Sequence, residues 1–245
     1  KGHNYITIAL DIEHGRVVRC APGKDKAAVE DIKEYLEQKG SPSDEVEHVA
    51  MDMSPAYIAA CSDYFPDASI TFDRFHVVQI VNKALDTVRK LERKESDLLK
   101  GHKYTVLKNP HKLSESKRTE LSNLLIQFPK LGEAYRLREL LKEFWRFRTI
   151  EEETQSKIFL YEWCRACIDS GIKSMQEAAN SIMAHWTGIT NYTISRLTSG
   201  VMESVNRKIQ TIRRLSRGFY HVQNFINMIY YKCGKLNFSI PQVLV

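Results

Sequence analysis

The strongest constraint on this chain is a change of hydrophobic period near residue 96. Before that point short apolar runs of strand character alternate with amphipathic helical stretches, and after it about a hundred residues carry helical spacing alone. Tyr5–Leu10 and Val17–Cys20 read as strands joined across Glu13-His14-Gly15, a hairpin. Lys24–Gln38 presents an apolar face of Ala27, Ala28, Ile32, Tyr35 and Leu36 and stops at Gly40. Val46–Met51 is a third strand, followed by a helix with Ser54 as N-cap and Pro55 in its first position. Ala68–Phe72 is a fourth strand, and Val77, Ile80, Val81, Ala84, Leu85, Val88 and Leu91 mark a helix over His76–Arg93. Strand, helix, strand, helix calls for parallel neighbours joined by crossovers, so this region is expected to be α/β.

From 96 to 195, Leu121–Phe128, Gly132–Arg148, Glu151–Asp169 and Ser174–Trp186 read as helices separated by Pro129, Gly171 and Gly188, an all-α insertion. Ser199–Arg217 and His221–Cys233 read as two closing helices. The expected organisation is a core over 1–95, a helical insertion over 96–195, and the rest of the core over 196–245.

Composition removes several classes. With 43% hydrophobic and 27% charged residues, 11 Gly and 7 Pro in 245, intrinsic disorder is disfavoured. No apolar run approaches the roughly 20 residues that span a bilayer, and no signal-peptide pattern is present, so a membrane partner is not expected. The 5 cysteines are odd in number and scattered, which fits a reducing cytoplasm better than a disulfide framework. Cys164-x-x-Cys167 lacks the second ligand pair a zinc site needs and reads as a segment of a helix's apolar face.

The net charge of +6 is concentrated. Arg196, Arg207, Lys208, Arg213, Arg214, Arg217, Lys232 and Lys235 fall in one stretch whose single acid is Glu203, while the rest of the chain is close to neutral. A focused basic segment suggests a polyanion, most often nucleic acid, against the alternative of a solvated helix face. On a helical wheel Glu203, Arg207, Gln210, Arg214 and Arg217 share one stripe, and Met202, Val205, Ile209 and Ile212 line the opposite face. Glu203 is therefore either a functional carboxylate heading a basic stripe or a first-turn acid that favours the helix dipole and pairs with Arg207. Asp52 stands at the carboxyl end of a strand, where open α/β sheets gather ligand groups, or else caps the helix that starts near Ser54. Asp73 and His76 occupy a second strand-to-helix junction, with the plain N-cap as the competing reading. Two carboxylates about 4 Å apart repel by roughly 4 kcal/mol at an effective dielectric near 20, and a divalent cation relieves that repulsion. Hard oxygen ligands suit Mg²⁺ or Mn²⁺, and two such ions serve phosphoryl transfer.

The run Val49-Ala50-Met51-Asp52-Met53-Ser54-Pro55-Ala56-Tyr57, with Phe65-Pro66 and Phe72-Asp73-Arg74-Phe75-His76-Val77-Val78, resembles bacterial insertion-sequence transposases of the ISL-three type. So do Trp163, Trp186, Ile189 and Tyr192, the block Leu197-Thr198-Ser199-Gly200-Val201-Met202-Glu203-Ser204-Val205-Asn206, and Ile209, Arg213-Arg214 and Gly218-Phe219. The opening Lys1-Gly2-His3-x-Tyr5-x-Thr7 and Asp11 fit the family's second strand. The resemblance implies an RNase H-like catalytic core of the Asp-Asp-Glu (DDE) type, interrupted by a helical insertion before the final acid. It matches Asp52 to the second catalytic Asp and Glu203 to the catalytic Glu, both as metal ligands. Asp73 and His76 match a shared auxiliary motif, and Asp11 is a further auxiliary candidate. Arg207, Lys208, Arg213, Arg214 and Arg217 are the expected DNA contacts. Five phosphate contacts would give a log K against log salt slope of roughly −4 to −5 on duplex DNA.

The family's first Asp is expected on a strand ahead of Lys1, so the two-metal site of this chain alone is expected to lack a ligand. Ser204 and Gln210 stand where the family usually has Gly and Lys. The implied activity is metal-dependent cleavage and strand transfer at insertion-sequence ends, with terminal repeats and target DNA as partners and a homodimer in the synaptic complex. The alternatives are a non-catalytic transposase remnant that only binds DNA, and a nuclease that cuts without joining.

Overall fold

In the computed structural model residues 5–195, 200–216, 219 and 221–236 are described. The chain is mostly helical with small sheets, none of more than two strands among the described residues. The continuous crossover sheet expected from the strand–helix alternation is not formed by these residues. Two compact units emerge, residues 1–69 with 197–245, and residues 70–196.

The first unit is organised by a hairpin. Strands β1 (Ile6–Asp11) and β2 (Arg16–Pro22) pair antiparallel, as the sequence predicts. Their register contains a bulge: Ala9 faces Arg19 and Leu10 faces Val17, so Val18 is the extra residue. Strict alternation would send Val17, Arg19 and Ala21 to one face. The bulge resets the phase, so that Val17 and Cys20 join Ile6, Ile8 and Leu10 on one face while Arg19 and Ala21 join Ala9 on the other.

Each face has its own partner. Helix α1 (Lys26–Gln38) covers the second face, packing Ala28 and Ile32 against Ala21. Asp31 receives Arg19 in a two-pronged ion pair at 2.8 and 2.6 Å. The start of α1 is set by Asp25, whose carboxylate accepts the Ala28 amide. On the first face lie α11 (Gly200–Leu215) and α12 (Val222–Cys233), which bury Val205, Ile209, Ile226, Ile229 and Cys233 against the hairpin. The Tyr230 hydroxyl accepts the Cys20 amide at 2.8 Å, which ties α12 to β2. Strand β3 (His48–Met51) leads into α2 (Pro55–Tyr64), which packs on α1 and whose Tyr57 hydroxyl meets the Thr7 hydroxyl at 2.9 Å. Ser69, the first residue of β4 (Ser69–Phe72), donates its amide to the Glu47 carbonyl at 2.8 Å.

The second unit is a helical bundle. Helices α3 (Arg74–Glu95), α6 (Pro129–Phe144), α7 (Glu153–Asp169) and α8 (Lys173–Ala184) pack as a closed ring of neighbours. Three polar ties cross it: Trp163 Nε1 donates to the Leu137 carbonyl (2.8 Å), Ser174 Oγ to the Ala84 carbonyl (3.0 Å), and Thr193 Oγ1 to Ser156 Oγ (3.1 Å). Short α4 (Lys103–Leu107) and α5 (Glu115–Gln127) connect α3 to α6. Helices α9 (Trp186–Thr190) and α10 (Tyr192–Ser195) close the unit. Gly188 is not the helix breaker that the sequence suggests. It lies buried inside α9, where a Cβ would stand 2.4 Å from the Phe72 ring. The compact division falls ahead of α3, at 69/70, whereas the sequence pattern groups this helix with the core up to 95. Its apolar stripe packs on α6 and α8.

Candidate active site and nucleic-acid face

Asp52, Glu203 and Asp11 lie in the first unit, and Asp73 and His76 in the second. The half-buried Asp52 leaves β3 just before α2. Its Oδ1 accepts the Ser54 amide at 2.8 Å, while the N-cap Ser54 makes no side-chain cap bond of its own. Capping and chemistry are therefore not exclusive at Asp52: one oxygen holds the turn, and among the described residues Oδ2 carries no hydrogen bond.

Glu203 is exposed in the first turn of α11. Gly200–Leu215 is amphipathic in the predicted sense, with Val205 and Ile209 buried, Met202 and Ile212 half-buried, and Glu203, Arg207, Lys208, Gln210, Arg213 and Arg214 exposed. Because its apolar face is fixed on the hairpin, the helix holds the acid and four cations out to solvent on a rigid support. Arg196 and Arg217 lie outside the described residues.

Asp11 ends β1 and accepts the His14 amide (3.0 Å), His14 Nδ1 (2.8 Å) and Arg16 Nε (3.2 Å). Partial burial works to raise its pKa, but the bonds from His14 and Arg16 outweigh it and the carboxyl is held below its ordinary value. Its pairing with Arg16 puts it on the α1 face of the hairpin, opposite the face that receives α11. The structure thus gives Asp11 a turn-fixing role. Lys235 Nζ reaches the His14 carbonyl of the same turn. Asp73 caps α3 by accepting the Phe75 amide at 2.9 Å, and the His76 amide returns to the Asp73 carbonyl at 3.0 Å. The half-buried His76 ring stands edge-on to Phe75, centroids 5.6 Å apart.

The cysteines are spectators. All 5 are buried free thiols. Desolvation pushes Cys20 and Cys164 up to about 12 and Cys61 up to about 11, and raises Cys167 and Cys233 as well. None is a thiolate at neutral pH, and Cys164 and Cys167 lie on the buried face of α7, as the sequence suggests. Among the described residues no group of three or more His, Cys, Asp or Glu side chains converges to hold a metal ion. The donors of Asp52 and Glu203 are hard oxygens, which suit Mg²⁺ or Mn²⁺ in kind. No helix among the described residues is long and apolar enough to cross a membrane.

Asp52, Glu203 and the basic face of α11 belong to one unit, with the helical unit between them in sequence. The chain belongs to the DDE transposase family of the ISL3 type, whose sequence profile, described as a transposase, matches residues 1–229. It is similar to the transposase for insertion sequence element IS1557 of Mycobacterium tuberculosis, 28% identical over 252 residues covering 91% of this chain and 55% of the relative. It is also similar to the transposase for insertion sequence element IS1001 of Bordetella parapertussis, 26% identical over 234 residues covering 92% of this chain and 56% of the relative. The chain thus spans about half the length of the curated relatives it matches. No solved structure matches it.

Proposed function

We propose that this chain is the catalytic portion of an insertion-sequence transposase with an RNase H-like core, and that Asp52 and Glu203 are its two catalytic acids. The observation that carries the reading is Glu203 held exposed at the head of a cationic stripe by a helix whose other face is locked in the core. Asp52 and Glu203 would hold Mg²⁺ or Mn²⁺, which would supply Lewis-acid activation of the attacking oxygen and stabilise the leaving one.

The remaining work falls to the chain. Arg207, Lys208, Arg213 and Arg214 bind and orient phosphates along α11, and Arg217 extends the set beyond the described residues. Water attacks phosphorus at an element end, the P–O bond to the terminal 3′ oxygen breaks, and that oxygen leaves as a free 3′-OH. The 3′-OH then attacks a target phosphodiester, forming one P–O bond as another breaks. Phosphodiester number is conserved in this second step, so no external energy source is needed. Asp73 and His76 are auxiliary, and His76 assists near the scissile phosphate. Joining requires two ends to be held together, so a homodimer belongs to the proposal, as does action in the cytoplasm on bacterial DNA.

The test is Glu203→Gln in the full-length protein. Mn²⁺-dependent cleavage of element-end DNA should be lost while duplex binding is kept, and unchanged cleavage overturns the assignment. Duplex binding that ignores Mg²⁺, with no nicking by the parent protein, identifies a DNA-binding remnant instead. Nicked but unjoined products identify a nuclease.

A further inference from the structure

On its long helices the helical unit pairs many of its charges locally. Asp86 pairs with Arg89 and Lys90, Glu133 with Arg136, Glu139 with Arg138 and Lys142, Glu143 with Arg146, and Glu153 with Lys157. Residues 100–118 depart from this habit. They carry Lys100, Lys103, Lys108, Lys112, Lys117 and Arg118 against the single acid Glu115. All six cations are exposed. Lys117 is paired with Glu120 at 2.8 Å, and among the described residues the other five form no ion pair.

This is not a solvated tail. Leu99, Thr105, Val106 and Leu113 are buried along the segment, and the Leu107 carbonyl accepts Arg138 Nη1 at 2.9 Å from α6. Two short helical turns, at 97–99 and 110–112, flank α4. The cations therefore project from a backbone whose ordering cost has already been met by folding, the condition under which unpaired charge gives affinity instead of losing it to entropy. Tyr104, 75% exposed, sits among them with Lys103 Nζ 5.9 Å from its ring. A run of like charges left unpaired on a fixed support suits a partner that carries regularly spaced negative charge, the footprint of a nucleic-acid backbone contact. Lysine predominates over arginine. Its compact ammonium contacts phosphate as a point charge without the bidentate geometry that reads a base or a fixed carboxylate, so the surface fits backbone contact without sequence preference.

We propose that residues 100–118 form a second duplex-DNA surface, on the helical unit, that grips the phosphate backbone independently of sequence through Lys100, Lys103, Lys108, Lys112 and Arg118. The identity of the polyanion rests on the transposase reading. The placement of the surface does not, and it belongs to the other unit from the one that carries the α11 stripe.

The experiment is a salt titration of duplex binding by the full chain, on element-end and on random-sequence DNA. It compares the parent with Lys100/Lys103/Lys108/Lys112→Gln and with Arg207/Lys208/Arg213/Arg214→Gln. Removing four backbone contacts should flatten the log K against log salt slope by roughly 3–4, equally for both sequences. Replacing the same four lysines by arginine should restore it. Unchanged slope and affinity in the lysine variant overturn the inference. If the α11 variant alone then loses binding, the α11 reading survives, and if neither variant loses binding, both readings fall. Loss of binding to phosphatidylserine vesicles with duplex binding intact also overturns it, in favour of a lipid surface.

Discussion

The two compact units handle charge in opposite ways. In the helical unit many acids pair with a base three or four residues away, from Asp86–Arg89 to Glu153–Lys157. On α11 one acid faces four exposed cations, and the stripe stays basic whatever local pairing Glu203 makes. Burial differs in parallel. The bundle closes over Trp145 and Trp163, each no more than 2% exposed, whereas the buried residues of the hairpin clusters are aliphatic side chains and cysteines, with Phe225 and Tyr230 packed at their margin. Self-neutralised charge over a large aromatic core describes a scaffold, and uncompensated charge on a small core describes a working surface. Residues 100–118 are where the scaffold adopts the manners of the working surface.

Five substitutions sharpen this contrast. The largest effect is expected at Asp52→Asn in the full-length protein. On the proposed assignment of Asp52 as a metal ligand, cleavage should fall by more than the 10–100-fold typical for losing an outer-shell partner of a metal site. Asp11→Asn, in the same unit, should leave cleavage rates unchanged, and an equal loss there would show that the turn-fixing role is not the whole of Asp11. Next comes Trp163→Ala, which removes a buried ring and its bond to the Leu137 carbonyl and should cost about 3–5 kcal/mol in denaturant unfolding. Gly188→Ala drives a methyl into Phe72 and should cost about 1–3 kcal/mol. A neutral result at Gly188 would mean that Phe72 swings aside freely.

The smallest is Asp31→Asn, which removes a half-exposed ion pair worth about 0.2–1 kcal/mol. The Arg19 guanidinium, against a smaller opposing effect of burial, holds the Asp31 carboxyl below its ordinary value. Its contribution is therefore present above the unfolded pKa, near 4, and is lost as pH falls through the lower folded value. Parent and variant should converge in thermal stability under acid and separate above about pH 4.

Much of the fold is legible in sequence where local periodicity and capping act alone. The hairpin, α1, the Pro55 start of α2, the α3 stripe and α12 all lie close to where spacing puts them. The start of α5 is less visible, because Glu115–Glu120 contributes no apolar residue and the helix is announced only by Ser114, whose hydroxyl accepts the Lys117 amide. Gly188 reads as a breaker because sequence cannot show that Phe72 needs the space. The faces of β2 are unreadable for a similar reason, since Val18 is an extra residue only when β1 is beside it. Of the candidate site, the polar face of α11 from Glu203 to Arg214 is legible, being a property of one helix, while Arg217 lies outside the described residues. The cations of 100–118 stand in the same letters, but a chain-wide charge count averages them against the acids around them, and only exposure and pairing separate them out.

The bulge at Val18 acts on the hairpin as a compensating insertion acts on a reading frame. Upstream of it side chains are read to one layer, and downstream the same alternation is read to the other. A strand that held Val18 in regular alternation, with no bulge, would keep the composition, the hydropathy and all the local propensity of this one. Yet it would offer the Arg19 guanidinium to the aliphatic layer of α11 and α12, and Cys20 to Asp31. The helix that carries Glu203 would lose its seat through a change that no residue of the site records.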